Sequence, residues 1–236
     1  EAIPASYEQC AKLTVEELYK LLTSELDPFE KIDLLGKLIP MQIIRMMNNR
    51  ASNILNEEKT QEWLIDLTTN AKGPVRKKAV RSYEIFEEKI FSAVHQADID
   101  TYMASLSKPK TKTQILSDAA SDTNMLVRKL GKEIGLIIPL TGPNMRFSLN
   151  ENLVKLLVVS LVKPGERILF TTFLKKCYTN FNLVIGPNEA NKHFNEGLTY
   201  LDAFNENEQQ LLQILRNCGF LRNLSDATSI VENPFK

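Results

Sequence analysis

The chain has 236 residues, 43% of them hydrophobic and 25% charged, with basic and acidic residues equal at 29 each. That balance excludes a disordered or fibrous chain and allows one large domain or two to three small ones. The longest apolar run, 153–162, contains Lys155 and is too short to cross a bilayer, so no membrane partner is expected.

Residues 1–26 carry acids throughout and lack the basic-then-apolar order of a secretory signal. Cys10, Cys177 and Cys218 are isolated, odd in number and without C-x-x-C spacing, which points to a reducing, cytoplasmic setting. The start at Glu1 rather than Met is compatible with a piece of a larger protein. The zero net charge is unevenly spread: 7 basic and 12 acidic residues over 1–71, 13 and 8 over 72–146, and 9 of each over 150–236. A polyanion-binding face in the middle third is therefore compatible with a neutral whole.

The first hundred residues read as helices. Thr14 and Glu17 form a capping-box pattern, followed by Leu18, Leu21 and Leu22 at helical spacing. Asp27-Pro28 supplies a cap and a first-turn proline for a second helix, with Ile32, Leu35, Leu38 and Ile39 as its stripe. Pro40 is expected to break or kink it, and Met41, Ile44, Met47, Ala51 and Leu55 continue beyond. Residues 63–67 fit helix or strand. Gly73-Pro74 is a stop and restart, after which Ala79, Tyr83, Phe86, Ile90 and Val94 lie on one face of a long helix. The Lys-rich stretch 107–112 reads as a linker.

After the linker, 113–120 reads as a short helix, Ser121-Asp122 as a turn and cap, and 124–134 as a second helix with Leu126, Val127, Leu130 and Ile134 inward and Gly135 at its end. Two β-prone runs, 136–138 and 146–149, then flank a Pro/Gly/Asn turn. At the C-terminus a helix at 206–218 ends at Gly219, and 220–224 and 228–231 flank Ser225-Asp226-Ala227 as a second hairpin. Between the two lie a buried helix at 150–162, a turn at 163–166, a short strand at 167–170 and a helix ending at Phe181.

Helix, turn, helix, glycine, hairpin resembles the winged-helix class over 113–149 and, more weakly, over 150–236. The expected fold is thus mainly α: an N-terminal helical bundle over 1–105, then winged-helix-like units with small β-hairpins at 113–149 and 150–236. The resemblance implies duplex DNA binding by the second helix, with the hairpin as wing.

On that helix Asn124, Arg128 and Lys132 lie four apart on one face, with side chains suited to adenine, guanine and phosphate respectively, and Arg146 lies on the wing. A second basic cluster, Lys72, Arg76, Lys77, Lys78 and Arg81, surrounds a helix start where the backbone already favours anions. It would meet phosphate, unless the acidic block 1–71 supplies the counter-charge. Lys108, Lys110 and Lys112 read either as a phosphate-contacting arm or as a solvated linker.

Catalytic signals are few. His95 and His193 have no nucleophile or carboxylate neighbourhood, no zinc spacing or Gly-rich phosphate loop occurs, and Glu57-Glu58 and Glu87-Glu88 read as solvated. The expectation is a non-catalytic DNA-binding module without cofactor. The alternative is a protein–protein scaffold built from the same helices, with an apolar contact surface at Phe220, Leu221 or Phe235.

Overall fold

A computed structural model describes residues 5–70, 72–105, 110–193, 198–225 and 228–236. It is mainly helical with small sheets. Helix α1 (Ala5–Thr23) begins upstream of the expected cap, because nothing in 5–13 breaks a helix. Thr14 instead sits inside it, its hydroxyl turned back onto the Cys10 carbonyl at 2.8 Å.

Helix α2 (Pro28–Ile54) starts as the sequence indicates, with the Asp27 carboxylate accepting from the Phe29 amide at 2.9 Å. It does not end at Pro40. Leu34, Leu38, Met41, Arg45 and Asn48 are buried on both sides of the proline, and this packing outweighs the missing backbone bond.

Strand β1 (Trp63–Leu64) settles the ambiguous 63–67 segment. Helix α3 (Pro74–His95) follows, with Ala79, Tyr83, Phe86 and Ile90 buried, and then a short α4 (Asp100–Ala104). Helix α5 (Lys112–Ile134) is one continuous helix, so the expected turn at Ser121-Asp122 does not form. Thr111 and Gln114 make the capping box at its start, and neither Gly nor Pro interrupts the middle. Its buried stripe, Leu116, Ala120, Val127, Gly131 and Ile134, passes straight through 121–122, while Leu126, expected inward, is exposed.

Strands β2 (Ile137–Ile138) and β3 (Arg146–Phe147) form the expected antiparallel hairpin. The chain continues through α6 (Glu151–Leu161), β4 (Arg167–Leu169), α7 (Phe170–Phe181), β5 (Leu183–Val184), α8 (Pro187–His193), α9 (Leu198–Asn217), β6 (Leu221–Ser225) and β7 (Thr228–Glu232). Helix α6 is buried almost all round, from Leu153 to Leu161. Strands β4, β7 and β6 make an antiparallel sheet in that order, with Val231 between Ile168 and Leu221. The turn residues Asp226 and Ala227 lie outside the described residues.

The three sequence segments share one apolar core, which runs from Leu21 to Val231. Strand β1 pairs in parallel with β5, and Ile65 bridges to Phe147, so residues from all three meet at one seam. Trp63 lies stacked on Phe147 at 5.0 Å between centroids, and Tyr83 and Phe86 meet Phe147 edge-on at 5.3 and 5.6 Å. At the other end of α5, Gly135 adopts φ 80° beneath Asn150, whose amide donates to the Ile134 carbonyl while its oxygen caps α6 at Leu153. One side chain thus closes α5 and opens α6.

The seam is locked by Asp66, fully buried at its carboxylate. It accepts from the Thr68 hydroxyl at 2.6 Å and from the guanidinium groups of Arg76 and Arg146 at 2.7 Å each. Burial alone would push this carboxyl up, but the Thr68, Arg76 and Arg146 hydrogen bonds hold it below the ordinary carboxylate range. A lowered folded value contributes stability above the unfolded value of about 3.9, which disappears as pH falls through the folded one. Asp66→Asn should therefore cost about 3–5 kcal/mol at neutral pH. Urea melts should also show a flatter decline of stability below about pH 4 in the variant than in the parent.

A second test concerns the packing of α5 on the hairpin. A Cβ on Gly131 would overlap the Ile137 Cδ1 and lie 3.2 Å from the Ile137 Cβ. Gly131→Ala should destabilise by about 1–3 kcal/mol in a denaturant melt, despite the better helix propensity of alanine.

Candidate nucleic-acid interface

Two of the residues expected to read DNA on α5, Asn124 and Arg128, are turned onto α3. Arg128 grips the Glu87 carboxylate through two nitrogens, at 2.5 and 2.7 Å, and Tyr83 donates its hydroxyl to the same carboxylate at 2.6 Å. Glu87 is thus a half-buried anchor rather than a solvated acid. Its hydrogen bond raises the Arg128 guanidinium further above its ordinary value, and burial followed by Glu87 raises the Tyr83 phenol. Asn124 donates to the Glu87 carbonyl at 3.4 Å, while its own side-chain oxygen is buried without a partner. Lys132 donates to the Leu140 carbonyl at 2.9 Å, beside the hairpin. Arg146 is engaged with Asp66. The structure brings all four side chains to internal partners, Asn124 and Arg128 through the packing of α5 on α3, and Lys132 and Arg146 at the hairpin and its seam with Asp66.

The cluster around the start of α3 divides. Arg76 faces inward, bound to Asp66 and to the Thr68 carbonyl at 2.6 Å. For this residue the acidic block does supply the counter-charge. Lys72, Lys77 and Arg81 are exposed and Lys78 is half-buried, and together with Pro74 they line one surface depression. Arg81 also reaches Glu84 and Glu88 along its own helix, both at 3.2 Å. Lys78 and Arg81 border a second depression, shared with Gln61, Glu62, Leu64, Ser82, Ile85 and Val184.

Backbone geometry at this end suits an anion. Gly73 is the N-cap in an extended conformation, without a side-chain cap, and the first turn of α3 holds no acid. Asn70 turns the chain into the helix by accepting from the Lys72 amide at 3.0 Å through its side chain and from Gly73 at 3.1 Å through its carbonyl.

The remaining candidates have local partners. Lys110 pairs with Asp118 at 3.4 Å and Lys112 with Asp100 at 2.8 Å, while Lys108 lies outside the described residues. His95 donates from Nδ1 to the Phe91 carbonyl at 2.9 Å, and its ring lies against Phe91. The His193 side chain lies outside the described residues. Cys177 is fully buried and its thiol is pushed up by that burial. Glu57 pairs with the buried Lys89 at 2.6 Å. Among the described residues no group of three or more His, Cys, Asp or Glu side chains is placed to hold a metal, and no helix is long and apolar enough to cross a membrane.

Sequence reasoning missed Asp66 and the Glu17–Arg45 pair, and it read Glu87 as solvated. Arg45 is buried in α2 and reaches Glu17 at 3.0 Å and the Asn180 carbonyl at 2.7 Å. The one available signal was an arginine on the apolar face of α2, between Met41 and Asn48.

Compared with protein families, curated proteins and solved structures, the chain matches none.

The Arg128–Glu87 bond makes a specific forecast. Because Arg128 keeps 41% of its side chain exposed, the pair should contribute only about 1 kcal/mol. Arg128→Ala should lower the thermal midpoint by roughly 2–4 °C, and a retained melting temperature with weakened nucleic-acid binding would show that the residue faces a ligand instead.

Proposed function

We propose that this chain is a non-catalytic nucleic-acid-binding module that holds the phosphate backbone at the start of α3, through Lys72, Lys77, Lys78 and Arg81. The observation that carries the reading is the acid-free, uncapped helix start with these four cations around one depression. Lysines there weaken an isolated helix and become favourable once an anion sits among them. The contact is sequence-independent, because the side chains suited to base edges, Arg128 and Asn124, are held on Glu87.

The C-terminal unit supports a winged-helix reading of 151–232. Its order is helix, strand, helix, the short β5 and α8, then α9 and a hairpin, with the sheet ordered β4-β7-β6. In this reading α9 occupies the recognition position. Its exposed side chains include Asp202, Glu206, Gln209, Gln213 and Arg216, a set that does not suit a polyanion. The arginines on the sheet, Arg167 and Arg222, both bind Glu232. The DNA contact therefore falls to α3 and not to the wing. A cytoplasmic setting is part of the same proposal, on the strength of the three free cysteines.

A protein-scaffold reading is favoured by one observation, the exposed apolar side chains of α1 and α2, such as Val15, Tyr19, Phe29 and Ile32. Of the residues expected for this role near the C-terminus, Phe220 is buried against Phe235, at 6.2 Å between rings, while Leu221 and Phe235 are half-buried.

Fluorescence anisotropy with a labelled random-sequence duplex, repeated across a salt series, tests the proposal. Binding should be weak at physiological salt, with Kd roughly 10⁻⁴–10⁻⁶ M, and should strengthen as salt falls. Replacing Lys72, Lys77 and Lys78 by alanine should reduce the salt slope by about one for each phosphate that is no longer neutralised. An unchanged slope would move the binding face elsewhere, and no binding at low salt would leave the scaffold reading alone.

A further inference from the structure

Helix α2 has two apolar faces. Its inner face is Leu34, Leu38, Met41, Arg45 and Asn48, all buried. On the outer face Phe29, Ile32, Gly36, Ile39, Ile43 and Met46 recur at spacings of three and four, the a/d pattern of a coiled-coil seam. Phe29 is 81% exposed, Ile32 65%, Ile39 54% and Met46 47%. A stripe sustained over about eighteen residues, roughly 27 Å of helix, is too regular for scattered surface hydrophobics. Helix α1 adds Val15, Tyr19 and Leu22, at spacings of four and three and each more than half exposed.

We propose that this outer face of α2 is a homodimer seam, in which a second copy of the same helix lies antiparallel across it. The seam is self-complementary about a point between Gly36 and Ile39. A two-fold axis there sets Ile39 of each copy over Gly36 of the other, Ile32 against Ile43, and Phe29 against Met46. Gly36 has open space where a side chain would stand, so it provides the hole for that knob.

Charge selects the antiparallel direction. The start of α2 is acidic and exposed, with Glu25 and Asp27, and near its far end Arg50 is exposed with no ion pair among the described residues. Antiparallel pairing brings Arg50 of one copy to the acidic end of the other, whereas parallel pairing would stack like charges. Asp33 and Lys37, on the flank, neutralise each other within one chain. The whole chain has zero net charge, so no long-range repulsion opposes association. The seven exposed apolar side chains of α1 and α2 are the apolar surface available toward the roughly 800 Å² per partner of a stable interface.

Sedimentation or light scattering across about 1–100 μM of the whole chain is the primary test, the range in which weak to moderate dimers form. The expected mass is twice the 26.8 kDa of the chain. Ile32→Asp with Ile39→Asp should raise the dimer Kd at least about a hundredfold, since each copy would bury two unpaired carboxylates. Both sites are exposed, so the helical circular dichroism of the variant should match the parent, which separates failure to dimerise from failure to fold.

Direction is read by cross-linking in a Cys218→Ser background, with Cys10 and Cys177 buried. A mixture of Phe29→Cys and Met46→Cys chains should give the mixed disulfide. Cross-linking of Phe29→Cys to itself would mean parallel pairing and would overturn the proposal. So would a monomer at every concentration, or a dimer unaffected by the two aspartates. None of these variants touches the α3 lysines, so the outcome is independent of nucleic-acid binding.

Discussion

Asp66 receives hydrogen bonds from Thr68 beside it, from Arg76 in the first turns of α3 and from Arg146 on the hairpin, eighty residues away. A carboxylate taken wholly out of water needs its charge met in place. Two guanidinium groups meet it here, and both are thereby withdrawn from the surface. The backbone carbonyl of the same residue holds Ser148 at 2.8 Å, and its amide donates to the Phe147 carbonyl at 3.0 Å. Strand β1, α3 and the hairpin are therefore fixed to one another at a single residue, directly beside the Trp63–Phe147 stack. Packing of α5 on α3 and of the central helix α6 follows from that arrangement, because the hairpin connects them in the chain.

What this lock consumes decides which cations remain for a partner. Arg76 and Arg146 go to Asp66, Arg128 goes to Glu87, and Lys132 goes to a carbonyl of the hairpin turn. The middle third still carries its excess of positive charge, and its exposed part includes Lys72, Lys77 and Arg81 around the start of α3 as well as Lys112 and Lys129 on α5, with Arg81 and Lys112 each paired to nearby acids. A face defined by flexible lysines at a helix start suits phosphate and is poorly suited to reading bases. The chemistry left at the surface is thus narrower than the residue inventory implied.

Local signals were legible where a single residue type dictates backbone geometry. Asp27-Pro28, Gly73-Pro74 and Gly135 each mark a helix end for a stereochemical reason, and the stripe Ala79, Tyr83, Phe86 and Ile90 names the buried side of α3 unaided. Two polar signals misled for a common reason. Thr14 and Ser121-Asp122 can cap a helix, but capping residues are also tolerated inside one when an apolar stripe continues on both sides. Pro40 likewise does not break α2, since packing on both flanks outweighs one missing donor. The candidate site was legible as residue types and faces, and illegible as partners. Helical spacing showed that Asn124, Arg128 and Lys132 share a side of α5, but nothing local revealed that α3 would lie against that side and present Glu87. The partners are separated by 41 residues in one case and 80 in the other, distances over which a sequence pattern carries no pairing information.

The two faces of α2 bear on how the molecule could hold a long polyanion. Its inner face packs on α3, the helix that carries the lysines, so the position of one α2 fixes the position of one basic depression. Joining two copies across the outer face would place two such depressions at a set separation on one rigid body. A site too weak alone to hold nucleic acid at physiological salt gains from a second one at high effective concentration, without any new interaction being made. The neutral balance of the chain is compatible with such a geometry. A strongly basic protein would repel its own copy, whereas a basic face on an otherwise balanced molecule permits both self-association and phosphate binding.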